Sequence, residues 1–134
     1  MTEPEKMNTT ALAYLGDAIY ETYIRERVIR LGVSHADRLH RASVPYVCAQ
    51  GQAKAVRKIL DALTEEEQAL VRRARNRKSA TKPRHADAVT YKWATAFEAL
   101  IGYLYLSDRS QRLDEVLEYA AAAVEEPEPK EKER

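Results

Sequence analysis

Two stretches of this chain, LAYLGDAIYETYI at 12–24 and WATAFEALIGYLYL at 93–106, read as long apolar helices that each carry an acid beside or one turn from a glycine. On helical spacing, Asp17 shares its face with Ala13, Tyr20 and Ile24, and Glu98 shares its face with Ala94, Ile101 and Tyr105. Neither face supplies a cation, and an ionised carboxylate among apolar side chains is costly until something positive or hydrogen-bonding meets it. Gly16 adjoins Asp17, and Gly102 lies one turn after Glu98. A glycine inside a helix costs up to about 1 kcal/mol relative to alanine. Two of them beside two acids predict that these helices approach each other closely, where a side chain would not fit.

The remainder of the chain agrees with helices throughout. Four glycines and five prolines in 134 residues leave little turn chemistry, and no stretch alternates long enough to make a strand. A first helix is expected from Thr10 to Leu31, stopped by Gly32. SHAD at 34–37 opens a short helix through Ala42, and Pro45 suits the first turn of a third that ends near Leu63. Thr64 and Glu67 stand at capping-box spacing and start a fourth helix, which frays near Asn76. The fifth runs from Ala86 to Leu106, and the sixth from Ser110 to about Glu125. Residues 125–134 are charged and contain proline, with nothing to bury, so they are expected to be disordered. The reading is an all-α single domain over 8–124.

Composition narrows the function classes. The chain is 45 % hydrophobic and 32 % charged, as a globular protein is, and its apolar stretches are too short and too interrupted to cross a bilayer. MTEPEKMNTT contains acids and no apolar core, so it is not a secretory signal. The one cysteine, Cys48, has no partner for a disulfide and no ligand at metal spacing, and is read as a small core residue. A cytoplasmic location is the default. The net charge of +1 hides a concentration: RRARNRKSATKPR, 72–84, holds seven Lys or Arg and no acid, while TEEE at 64–67 and the tail are acid-rich. That segment is a candidate polyanion-binding patch.

If the two apolar helices pack through their glycines, Asp17 and Glu98 converge. Two unpaired carboxylates side by side repel and raise each other's pKa. An oxygen-preferring divalent cation such as Mg²⁺ removes that penalty while keeping most of its water. Such a site provides an acidic water and neutralises charge on a phosphate, which are the needs of phosphodiester hydrolysis. The plainer alternative is that each acid pairs with a distant arginine, for which Arg25, Arg41 and Arg57 are candidates.

LAYLGDAIYE resembles the ribonuclease III signature, roughly E-x-L-E-F-L-G-D-A-V-L-E, and FEALIGYLYL resembles its second half, D-x-x-E-A-L-I-G-A-I-Y-L. The likeness is strongest to the short bacterial form of that family, a nuclease domain alone, whose segments ALAYLGDAIYE, RNRKS and TAFEALIGYLYL stand here nearly intact. The residues after the sixth helix are too few for the double-stranded-RNA-binding domain of the full-length form. The resemblance implies an all-α ribonuclease III-type endonuclease domain that forms an intertwined homodimer, with the signature helices meeting at the two-fold axis. It implies that a duplex lies in the resulting valley and that each subunit cuts one strand. It places Asp17 and Glu98 on catalytic Mg²⁺ ligands. Where the full-length family has two earlier glutamates this chain has Thr10 and Ala13, and where it has an aspartate three residues before the last glutamate this chain has Thr95. Two of four acids remain, as in the short form.

With that resemblance, the basic segment is read as an RNA contact. Duplex RNA offers shape, phosphates and 2′-hydroxyls, and Arg72, Arg73, Arg75, Arg77, Lys78, Lys82 and Arg84 would take the phosphates. Asn76, Ser79 and Thr81 would hydrogen-bond phosphate or sugar. His35, His40 and His85 fall at no ligand spacing and are treated as surface residues. The resemblance implies an Mg²⁺-dependent endoribonuclease for double-stranded RNA, trimming the precursor of 23S ribosomal RNA, with a ribosomal protein as a further partner left open. The alternatives are a non-catalytic RNA-binding or ribosome-assembly module, and a helical interaction protein whose acids pair with buried arginines.

Overall fold

The computed structural model describes residues 3–78 and 87–127, and among them all regular structure is helical. Six helices follow in order: α1 (Thr9–Arg30), α2 (Ala36–Val47), α3 (Ala49–Ile59), α4 (Glu65–Asn76), α5 (Ala88–Leu106) and α6 (Ser110–Glu125). Short 3₁₀ turns occupy Pro4–Lys6 and Leu60–Ala62. None of the described helices is long and apolar enough to cross a membrane.

Caps set most of the boundaries. The Asn8 side chain accepts from Thr10 N at 2.7 Å and opens α1, and Asp87 accepts from Thr90 N at 2.8 Å to open α5. Gly32, at φ +97°, ends α1 as expected of a glycine in the left-handed region. The capping box at α4 is complete: Glu67 N donates to Thr64 Oγ1 at 3.1 Å, and Thr64 N donates to Glu67 Oε1 at 2.9 Å.

The corner between α2 and α3 differs from the expectation. Pro45 lies inside the last turn of α2, and α3 begins at Ala49. There Cys48 is no plain core residue. It is half-buried, and its Sγ accepts from Gly51 N at 3.3 Å and starts α3. Sequence alone favoured proline at a helix start; the observed position sacrifices only one bond close to a helix end, where the penalty is small. A Cβ on Gly51 would overlap the Pro45 carbonyl, so glycine is what lets the corner close.

The core is organised around α5, which packs against α1, α3, α4 and α6. Its buried residues, among them Ala94, Phe97, Leu100, Ile101 and Leu104, cover most of the way round the helix, as a central helix requires. The α1–α5 crossing is backbone against backbone: a Cβ on Gly16 would overlap the Glu98 carbonyl, and one on Gly102 would overlap the Leu12 carbonyl. Next to it Tyr20 and Phe97 meet edge to face, with centroids 4.7 Å apart.

Polar links tie the outer helices down. Glu67, 1 % exposed, is paired with Arg112 at 2.8 Å. Burial alone would raise its carboxyl, and the Arg112 guanidinium with the Thr64 N–H overcomes that and holds it below the usual range. Glu125, which the sequence put both at the end of the sixth helix and at the head of a disordered tail, is the last residue of α6. It accepts from Arg27 Nε at 2.8 Å and Tyr46 Oη at 2.6 Å. Such anchoring is invisible locally because its partners lie 79 and 98 residues away. Residues 128–134 of that tail lie outside the described residues.

Candidate active site

Asp17 sits mid-way along α1 and Glu98 mid-way along α5, and the glycine crossing brings their carboxyl groups into hydrogen-bonding contact. Asp17 is exposed and Glu98 half-buried, so the pair has protein behind it and solvent in front. Burial first, and the Asp17 carboxylate second, push the Glu98 carboxyl up to about 8 from an ordinary 4.5, and the Gln52 side-chain amide opposes the rise.

The arginines that the sequence offered as partners are committed elsewhere. Arg25 pairs with Glu21 at 3.1 Å, Arg41 pairs with Asp37 at 3.4 Å, and Arg57 lies over the Trp93 ring. Among the described residues no ion pair reaches Asp17 or Glu98, so none of these three arginines clamps either acid. The three positions where the full-length form has acids add no charge. Thr10 is exposed, Ala13 buried and Thr95 half-buried, and no third His, Cys, Asp or Glu among the described residues completes a metal-ligand cluster.

The basic segment is only partly a loop. Arg72, Arg73, Arg75 and Asn76 occupy the end of α4, Arg77 caps it and Lys78 follows, while Ser79, Thr81, Lys82, Arg84 and His85 lie outside the described residues. Arg72, Arg77 and Lys78 are exposed; Arg73 is exposed too, with its Nη1 donating to the Met7 carbonyl at 3.2 Å. Arg75 is placed over the Trp93 indole, its guanidinium carbon 4.8 Å from the ring centroid, and that of Arg57 is 5.7 Å away. An indole face attracts cations through its quadrupole, which holds two guanidiniums near each other without an acid between them. Trp93 precedes Glu98 by five residues on α5, about 7.5 Å along the axis. Arg57 and Trp93 gave no local signal of this: they come from α3 and α5, and only the packing of α3 and α4 against α5 collects them with Arg75. His35 and His40 are exposed, as expected.

Against known proteins, a family model described as the Ribonuclease III domain matches residues 10–109, a span containing both acids and both crossing glycines. The chain belongs to the ribonuclease III family. Its relatives include proteins named Mini-ribonuclease 3. That of Symbiobacterium thermophilum is 45 % identical over 125 residues, covering 93 % of this chain and 96 % of the relative. That of Enterococcus faecalis is 43 % identical, covering 94 % and 97 %. An X-ray structure of a Fusobacterium nucleatum protein matches with a TM-score of 0.79 at 31 % identity, over 88 % of this chain and 96 % of that one. Ribonuclease III membership makes the chain an endoribonuclease, and the non-catalytic alternative gives way to it.

Proposed function

We propose that this endoribonuclease cuts double-stranded RNA with Mg²⁺ held between Asp17 and Glu98. The observation that carries the reading is the meeting of two carboxylates with no cation paired to them among the described residues, one of them already pushed up to about 8 by burial and by that company. The donor set fits the ion: two carboxylates, all oxygen, open to solvent on the Asp17 side, as suits a cation that takes one or two carboxylates and keeps several waters. When bound, Mg²⁺ supplies a more acidic water and a charge against the phosphate. The protein's own part is to fix the two carboxylates on rigid helices, with Glu98 seated by the glycine crossing.

Substrate contact is assigned to the basic end of α4 together with Arg57 and Trp93. Arg75 and Arg57 over the indole form a cationic plate with no acid among the described residues to neutralise it, and a phosphodiester strand is the matching partner. Ser79, Thr81, Lys82 and Arg84 extend this assignment from sequence. Arg57→Ala and Arg75→Ala are each expected to weaken duplex binding and to reduce the slope of log affinity against log salt by about 1. Binding isotherms at several salt concentrations measure it, and an unchanged slope in both variants removes the plate from the substrate path.

The protein acts as a homodimer in this reading. Tyr14, 85 % exposed on the helix that carries Asp17, and Tyr105, 53 % exposed on the helix that carries Glu98, are large apolar groups that a second copy would cover. Sedimentation that returns the mass of one chain at micromolar concentration rules this out. The cellular assignment is cytoplasmic maturation of the 23S ribosomal RNA precursor by a domain spanning 8–124. The test is cleavage of a duplex built from the paired precursor ends, in Mg²⁺ and in EDTA, beside an unrelated duplex of equal length. Cleavage in EDTA defeats the metal assignment, and equal cutting of both duplexes defeats the precursor assignment.

A further inference from the structure

Behind the two carboxylates, on α3, stands Gln52, 2 % exposed. Its side-chain amide faces the Glu98 carboxyl and favours that group's ionised form. Its Nε2 donates to the Val47 carbonyl at 3.1 Å. Its Oε1 is buried and has no partner among the described residues. An amide at this depth is expensive, and an orphaned carbonyl oxygen makes it more so; for folding alone, an unbranched apolar side chain of the same length would serve better.

What an apolar side chain cannot supply is a polar link from a fixed piece of backbone to Glu98. Val47 ends α2, and the corner beyond it is held by the Cys48 cap and by Gly51 against Pro45. The carbonyl that anchors Gln52 is therefore a rigid point. Glu98, by contrast, has three side-chain torsions, and once it gives up its proton to take a cation, repulsion from Asp17 would swing its carboxylate away. We infer that Gln52 is a positioning residue. Tethered to Val47, it holds the Glu98 carboxylate toward Asp17, so that both oxygen donors are in place before a divalent cation arrives. The inference rests on the carboxylate pair being the metal site, and it accounts for burying an amide whose oxygen finds no partner among the described residues.

The test uses Gln52→Met, which keeps length and removes both polar ends, with Gln52→Leu as a second variant. Mn²⁺ serves as the probe, its binding read by electron paramagnetic resonance on the whole protein without RNA. Mn²⁺ affinity is expected to fall about 10- to 100-fold, as it does when groups that orient a metal ligand are removed. On an RNA duplex with Mg²⁺, kcat is expected to fall by a similar factor with KM unchanged, and the metal-free melting temperature to stay level or rise as the orphaned oxygen disappears. Wild-type Mn²⁺ affinity in either folded variant overturns the inference, and so does loss of fold in both variants, which would assign the amide to folding. Asp17→Asn is run alongside. If it binds Mn²⁺ and cuts as wild type does, the carboxylate site itself fails; if it is impaired while Gln52→Met is not, only the role of Gln52 falls.

Discussion

Replacing Asp17 by Asn, or Glu98 by Gln, is expected to slow cleavage of duplex RNA on the order of 10³-fold while leaving duplex affinity and helical content at wild-type levels. With Mg²⁺ between these acids as proposed, the size follows from removing a charge that would hold a cation worth several kcal/mol in the transition state, about 4 kcal/mol corresponding to three decades in rate. Both replacements are near-isosteric, and neither acid holds an ion pair among the described residues, so the fold has no reason to suffer.

Stability is expected to move the opposite way, which separates this reading from a structural one. In the metal-free protein Glu98 titrates near 8, above its ordinary 4.5, from burial first and Asp17 second. A carboxyl with a raised folded value binds its proton more tightly folded than unfolded. Its contribution is whole below about 4.5, declines as pH rises, and is gone above about 8. Without metal, the wild type should therefore lose melting temperature between those limits relative to Glu98→Gln. Added Mg²⁺ should raise the wild type and not the variant. The readouts are single-turnover cleavage and melting curves across pH. Cleavage by Asp17→Asn at the wild-type rate, or equal pH profiles for wild type and Glu98→Gln, would falsify the assignment.

Gly16→Ala should unfold the protein or cost it more than about 4 kcal/mol, the size that marks a specific structural insult. Two effects compete. Helix propensity favours alanine over glycine by up to about 1 kcal/mol. Against it, the new methyl would enter the Glu98 backbone carbonyl, and a backbone atom cannot rotate away as a side chain can. The helices must separate, which opens the Tyr20–Phe97 contact and the surrounding core. Any folded remainder would carry a displaced Glu98 and cleave poorly. Urea unfolding measures the loss; a variant as stable as wild type would mean that α1 and α5 do not cross at Gly16.

Much of this protein can be read along the chain because helix signals act within about four residues. The Thr64–Glu67 box, the Gly32 stop and the apolar period around two out-of-place acids are all of that range, and the six helices stand close to where those signals put them. The glycine near each acid even indicated which two helices would touch. Pro45 misled because a proline near a helix end resembles one near a helix start, and only the turn at Cys48 distinguishes them.

Composition and local pattern thus determined six helices, an all-α core and the two acids to watch. Tertiary structure alone decided that Arg57 and Arg75 gather on Trp93, that Glu125 anchors Arg27, and that Gln52 stands behind Glu98. Those relations depend on how helices far apart in sequence cross. The crossing is set by backbone clearance and the summed volumes of side chains from several segments, which no single stretch of residues encodes.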